Sequence, residues 1–314
     1  MLKTFFQRYQ ITLDDTLVVA CSGGPDSMFL VSEVLSFHPV NHIIVAHFNH
    51  HLRGAESDRD ERAVKQFCEE NNLIVRFGGG DIMGIAEATK KGLEEAARTE
   101  RYAFLETIRQ EYGAKFILTG HHLDDTIETL LFNFIRGTKI NGLTGIPELN
   151  GAILRPLLHM PKSDILSQLQ ERNIAHCTDS TNADDRYLRN HLRLNVISEF
   201  ERINPEYRKN LDAFMSYMSE LRAHLDAEVR VFLGDSDSFS VPDFLGLSIF
   251  LQREVIRYLY EQANNGTIGL SEGNIAEVIR FIGDKGNYTR KELGKLCLEK
   301  KNLRVYIRNG YRNL

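Results

Sequence analysis

The segment Ser22-Gly23-Gly24-Pro25-Asp26-Ser27 joins the apolar run Leu17-Val18-Val19-Ala20 to the apolar stretch Met28-Phe29-Leu30. It reads as a strand turning through glycines into a helix, and the alternation continues. Strand patterns over Ile43–Phe48, Leu73–Phe77 and Phe116–Thr119 are separated by helical patterns over Ala55–Asn71 and Gly92–Tyr112, and a further helix runs from Leu123 to Arg136. Short apolar strands alternating with helices predict an α/β fold, a doubly wound and mostly parallel sheet covered on both faces. Ligands of such sheets sit at the carboxyl ends of the strands. Ser22–Ser27 and His121–Glu128 both follow strands, so they should face one cleft.

The turn has the chemistry of an anion site. Backbone N–H groups and the positive end of the following helix favour a phosphate. Ser22 and Ser27 add hydroxyls, and Gly23 and Gly24 let the backbone approach without a Cβ in the way. Asp26 is the odd member, since a carboxylate beside a phosphate repels it unless a divalent cation lies between them. We therefore read the segment as a metal–pyrophosphate site, with an ordinary strand-to-helix turn as the alternative. A Walker-type loop would need a Lys after its second Gly, and the dinucleotide fingerprint a third Gly; neither is present.

A second cluster opens the helix after the fourth strand, His121-His122-Leu123-Asp124-Asp125-Thr126-Ile127-Glu128-Thr129. Asp124 and Asp125 stand four and three residues before Glu128, so the three carboxylates can share a face. Like charges so placed repel one another, partly offset by the helix N-terminus. Such a cluster calls for a cation, a metal or an amine; acid enrichment at a helix start is the plainer reading. Adjacent histidines point different ways on a helix, which argues against a zinc site.

Composition narrows the class. Apolar content of 42% with 26% charged residues describes a globular protein. No apolar stretch has the length of a membrane span, and the first residues lack the apolar core of a secretory signal, so we expect a cytoplasmic protein. Cys21, Cys68, Cys177 and Cys297 form no Cys-x-x-Cys pair, against a zinc ribbon, a paired-cysteine iron–sulfur cluster or a disulfide framework.

Beyond Asn204-Pro205 the pattern changes to long helices, over about Glu206–Phe232 and Pro242–Ala263, then a shorter one over Ser271–Ile282. Leu296–Leu298 and Leu303–Ile307 read as a hairpin. We therefore expect a first domain over 1–204 and a smaller, mainly helical one over 205–314. From Lys285 to Arg308, eight basic residues face only Glu292 and Glu299, a local +6 in a chain of net charge −5. That asymmetry suggests a patch for a polyanion; a solvated surface is the alternative.

Several segments resemble one family when taken in order: Ser22–Ser27, Ala97-Arg98-x-x-Arg101-Tyr102, Gly120-His121-x-x-Asp124-Asp125-x-x-Glu128-Thr129, Leu154-Arg155-Pro156-Leu157-Leu158, and Asp179-Ser180-Thr181-Asn182 followed by Arg189-Asn190-x-x-Arg193. Together they closely resemble the bacterial tRNA(Ile)-lysidine synthases of the PP-loop ATP pyrophosphatase superfamily, whose sheet is of the adenine nucleotide α-hydrolase type. The likeness runs over about residues 15–200 and is only general beyond.

The resemblance implies a ligase that uses ATP, Mg²⁺, L-lysine and an isoleucine tRNA with a CAU anticodon. The wobble cytidine would be adenylated at its C2 oxygen with loss of diphosphate. The lysine ε-amine would then expel AMP to leave lysidine, which reads AUA in place of AUG. By the same resemblance Ser22, Gly23, Gly24, Pro25, Asp26 and Ser27 would hold the ATP phosphates, with Asp26 on Mg²⁺. Asp125 and Glu128 would hold the lysine α-amine, with Asp124 supporting them or the metal. Arg98 would contact phosphate or the adenylated cytidine. Arg189 and Arg193 would face tRNA phosphate or the active site, and the domain carrying Lys300, Lys301 and Arg304 would bind tRNA. The likeness also leans to a homodimer. Two positions depart from the family pattern: Thr126 stands where a Gln is usual, and Ser198 about where a Pro often follows. Many members carry a further C-terminal domain that this chain is too short to include, so it would be a compact or a truncated form.

Overall fold

The computed structural model describes residues 2–51, 54–90, 92–177, 191–264, 266–267, 269–284 and 289–308. The chain divides into two compact units, Met1–Ser216 and Tyr217–Leu314.

In the first unit, helix α1 (Leu2–Arg8) leads to β1 (Leu17–Ala20), α2 (Pro25–Leu35), β2 (Ile43–Asn49), α3 (Ala55–Glu70), β3 (Ile74–Gly79), α4 (Ile82–Thr89), α5 (Leu93–Glu111), β4 (Phe116–Leu118), α6 (Leu123–Ile135), the single turn α7 (Ile140–Leu143), the short strands β5 (Leu149–Asn150) and β6 (Ile153–Leu154), and α8 (Lys162–Glu171). A π-helical turn over Leu192–Ile197 and α9 (Ser198–Ile203) precede α10 (Tyr207–Leu233), within which the division between the units falls.

The sheet has the order β3-β2-β1-β4-β6-β5. All its pairings are parallel except that of the edge strand β5 with β6. This is the mostly parallel α/β sheet that the alternation predicts. Leu17, Val18 and Val19 of β1 are fully buried, as a central strand covered on both faces requires. Their alternation feeds two cores. Leu17 and Val19 pack with Phe29, Val31, Val45, Leu118 and Ile165, while Val18 packs with Ile44, Leu105, Ile108 and Ile117. The strand order reverses between β1 and β4, where doubly wound sheets open a crevice at the carboxyl ends. Ser22–Ser27 leaves β1 there, and His121 leaves β4.

The second unit holds the remainder of α10, β7 (Ser238–Ser240), α11 (Val241–Gly246), α12 (Ile249–Asn264), α13 (Glu272–Gly283), β8 (Arg290–Leu293), β9 (Leu296–Lys301) and β10 (Arg304–Ile307). The expected single helix over Pro242–Ala263 is two, because Leu247 adopts an extended conformation and the Ser248 hydroxyl accepts from Leu251 N at 3.2 Å, opening a new helix. The expected hairpin is the centre of a four-stranded antiparallel sheet, β7-β10-β9-β8. Phe244, Val255, Leu259, Val278 and Val305 form its fully buried core.

Candidate active site

The loop after β1 takes its shape from its own residues. Cys21 N donates to Ala46 O at 2.9 Å, extending the β1–β2 ladder to the loop's edge. Gly23 follows at φ +87°, where a Cβ would also lie 3.2 Å from Asp60 O, so glycine serves both the turn and the close approach. Gly24 is the N-cap of α2 and Pro25 its first residue, a position where the missing N–H costs nothing. The buried Ser27 hydroxyl accepts from Ser22 N at 3.1 Å and donates to Gly24 O at 3.0 Å, and Gly24 N donates to Ser22 Oγ at 3.4 Å. Both hydroxyls therefore brace the loop, which holds Asp26 in the first turn of α2.

Gly120 joins this loop to the second cluster. A Cβ there would stand 3.0 Å from the Asp26 carbonyl carbon and oxygen, so this glycine, two residues beyond β4, packs on the loop's backbone. His122, buried, is the N-cap of α6, and its N–H donates to Asp125 Oδ2 at 3.0 Å. Its Nε2 lies 3.7 Å from Asp26 Oδ1 and 3.5 Å from Asp125 Oδ2. The two sequence motifs thus meet across one imidazole.

The three acids of α6 have different surroundings. Glu128 is only 6% exposed, and Arg193 Nε donates to its Oε1 at 2.5 Å while Arg193 Nη2 stands 4.0 Å from Asp125. Burial raises the Glu128 carboxyl above the usual carboxylate range, with Arg193 pulling the other way. Asp124 is engaged through both oxygens, by Arg208 Nε at 2.9 Å and by the backbone N–H of Lys162 at 2.8 Å. Burial works to raise Asp124, and these two donors outweigh it, leaving the carboxyl below its ordinary value. Asp125 and Glu128 consequently share Arg193, whereas Asp124 is turned to α8 and α10. Thr126 is buried, and its hydroxyl accepts from Ile146 N at 3.2 Å, a tie to the loop after α7.

Arg98 lies exposed on α5, its guanidinium 5.3 Å from the Tyr102 ring, matched by Arg101 at 5.3 Å. With the buried Arg155 these cations lie near His121. Burial first, then Arg155, Arg101 and Arg98, hold its imidazole down to about 3, so it is neutral over the physiological range.

Arg189 and the Asp179–Asn182 segment lie outside the described residues. In the second unit Lys300 Nζ donates to the carbonyls of Phe281 and Asp284 at the end of α13, and Arg304 donates to Ser238 Oγ at 3.0 Å. Lys301, the last residue of β9, is exposed. Sequence reasoning missed Lys162 and Arg208. Lys162 also places its ammonium on Asp26 Oδ1. Neither has a local signal, because each reaches its carboxylate from a distant helix.

Among the described residues no group of three or more His, Cys, Asp or Glu is arranged to hold a metal ion. A single carboxylate at a phosphate loop nevertheless suits Mg²⁺, which keeps waters and takes one or two carboxylates with substrate phosphates. Asp26 is the carboxylate that the loop offers.

Fold and site together define an α/β nucleotide-binding domain with a glycine-rich loop at the switch point of its sheet. The chain belongs to the PP-loop domain family, whose model matches residues 2–200. It is similar to the tRNA(Ile)-lysidine synthase of Bacteroides thetaiotaomicron, 41% identical over 209 residues that cover 66% of this chain and 48% of that one. It is 35% identical to the enzyme of the same name from Bacillus cereus over 287 residues, 86% of this chain and 60% of that one. The chain thus spans about half the length of the curated relatives it matches. Among solved structures, the U34-tRNA thiolase of Methanococcus maripaludis shares the fold, with a TM-score of 0.54 at 18% identity over 70% of this chain and 78% of that one. No helix among the described residues is long and apolar enough to cross a membrane.

Proposed function

We propose that the protein is a cytoplasmic tRNA(Ile)-lysidine synthase, joining L-lysine to C2 of the wobble cytidine of an isoleucine tRNA with a CAU anticodon. The observation that carries this reading is the meeting of Asp26 with the Asp125–Glu128 pair across His122, which supports reading the loop as an ATP site and the pair as an amine pocket beside it.

In this reading the loop from Ser22 to Ser27 and the N-terminus of α2 cradle the ATP phosphates, with Asp26 holding Mg²⁺, which when bound offsets charge on the phosphates. The C2 oxygen of the cytidine attacks the α-phosphorus and diphosphate leaves. Charge that grows on the α-phosphate faces the helix end, and Arg98 supplies a further cation. The lysine α-amine takes the place of the Arg193 guanidinium against Asp125 and Glu128. The ε-amine, having lost a proton, then attacks C2, and the C2–O bond breaks as AMP departs with that oxygen. Fixing the far end of lysine converts the second step into a positioned, effectively unimolecular attack.

The test is an assay with the CAU-anticodon isoleucine tRNA, ATP and Mg²⁺, reading diphosphate release and the mass of nucleotide 34. Lysine-dependent lysidine at that position is expected. An unmodified cytidine with all substrates supplied overturns the proposal.

A further inference from the structure

Lys162 opens α8, where the chain is tied to the start of α6 at two points. Leu123 N donates to Met160 O at 3.0 Å, and Lys162 N donates to Asp124 Oδ2 at 2.8 Å. This double tie fixes the Lys162 backbone and sends its side chain to Asp26, where the ammonium donates to Oδ1. The arrangement runs against the usual electrostatics of helices. A cation in the first turn of a helix is disfavoured by the macrodipole, and this ammonium meets the first turn of α2 as well as its own. Both groups remain partly accessible, with the side chains 31% and 28% exposed, so a ligand entering the loop reaches them.

The Asp26 carboxylate that receives this ammonium is the one the proposed function assigns to a metal. A carboxylate closed by an ammonium is a poor ligand for a bare divalent cation, which must displace it and leave it beside two positive helix ends. A nucleotide changes the balance, because its phosphates supply the anion that the displaced ammonium requires.

We infer that Lys162 is the resident counter-ion of Asp26 and exchanges that carboxylate for the phosphates of ATP, so that metal and nucleotide bind as a linked pair. The inference rests on the reading of Ser22–Ser27 as an ATP loop. Asp124 becomes the positioning residue of this exchange, holding the Lys162 backbone while the ammonium changes partner.

The experiment measures binding in the absence of tRNA. Mn²⁺ affinity without nucleotide is read by electron paramagnetic resonance, and ATP affinity in Mg²⁺ by calorimetry, for the unaltered protein and for Lys162→Met. The tie to Asp124 uses the main chain, so it survives the substitution, and Lys162→Gln replaces the variant if it unfolds. Opposite changes are expected: Mn²⁺ without nucleotide binds more tightly, and ATP more weakly, each on the order of tenfold. Asp26→Asn added to Lys162→Met should abolish the gain in Mn²⁺ affinity. The inference is overturned if both affinities move together, if neither moves, or if the gain survives Asp26→Asn. Failure of the ATP-loop reading gives a separate result, namely no ATP binding by the unaltered protein.

Discussion

Two clusters of like charge mark this sequence, the acids at Asp124–Glu128 and the cations of Lys285–Arg308, and they are neutralised in opposite ways. The acids are answered from afar. Glu128 pairs with Arg193, and Asp124 with Arg208 and the Lys162 backbone, across separations of 65, 84 and 38 residues. Three of the described cations of the terminal sheet are answered by carboxylates nearby and in the open. Arg290 meets Glu292, Lys291 meets Glu277 and Arg308 meets Glu299 at 2.5–2.9 Å, with side chains 31–61% exposed. Exposed pairs of this kind contribute about 0–1 kcal/mol each and weaken with salt. Groups gathered from four elements into a partly buried place at a strand end have a different use. In the proposed function the Arg193 guanidinium holds the place that the lysine amine would take, while Arg208 and the Lys162 backbone keep Asp124 in position.

The largest break in this contrast is expected at Asp26. Asp26→Ala should lower lysine-dependent diphosphate release on the order of 100-fold or more, as loss of electrostatic stabilisation at a reacting centre commonly does. Binding of tRNA, read by filter retention, should persist. Collapse of tRNA binding would make Asp26 a support of the fold. Next in size is Glu128→Gln, which keeps the shape and removes the charge that Arg193 meets and that the lysine amine would meet in its place. The KM for lysine should rise on the order of tenfold or more while the KM for ATP holds, the pattern of lost ground-state binding. Equal rises in both would place Glu128 outside the amine pocket.

Much of this is legible in the sequence for a physical reason. The βα alternation, the loop and the α6 acids depend on residues within a few positions of one another, through strand and helix periodicity and through glycine at a positive φ. Helix boundaries follow within a residue or two for α3, α5 and α6. What is not legible depends on the folded chain. Lys162 and Arg208 acquire their carboxylates only when α8 and α10 are packed. The three residues of β7, set among polar neighbours, are a strand because β10 pairs with them. The break at Leu247-Ser248 is hidden by apolar residues that continue across it. The basic run Lys285–Arg308 is legible as charge, yet its commitment to glutamates and to the carbonyls ending α13 appears only in the sheet.

Two histidines sharpen the rule that a group's neighbours set its role, with opposite signs. His121, half-buried near three arginines, is held at about 3 against an ordinary 6.5. The unfolded chain therefore binds more protons between these values, and stability falls as pH drops below 6.5. His159 is raised to about 9, first by Glu148 at 3.1 Å and then by Asp212 at 2.7 Å, with burial opposing. Here the folded chain binds more protons, so the contribution is complete below 6.5 and is lost as pH rises toward 9. Urea unfolding from pH 5 to 9 should show His121→Gln flattening the acid limb and His159→Gln the alkaline limb, each by less than about 1.4 kcal/mol per pH unit. Equal effects of either variant on both limbs would contradict the assignment.

The smallest effect separates neighbours within the basic sheet. The Lys300 ammonium is spent on the carbonyls that end α13, where a cation also favours the negative end of the helix. Lys300→Ala should therefore lower the unfolding midpoint of the second unit and leave the salt dependence of tRNA binding nearly unchanged. Lys301, exposed at the end of β9, should behave in reverse. If it meets a tRNA phosphate, Lys301→Ala reduces the slope of log affinity against log salt by about 1 and costs little stability. An unchanged slope in Lys301→Ala would remove the terminal sheet from the tRNA interface. Recognition of the polyanion would then fall to cations of the first unit, among which Arg193 is already set against carboxylates and Arg98 stands exposed near His121.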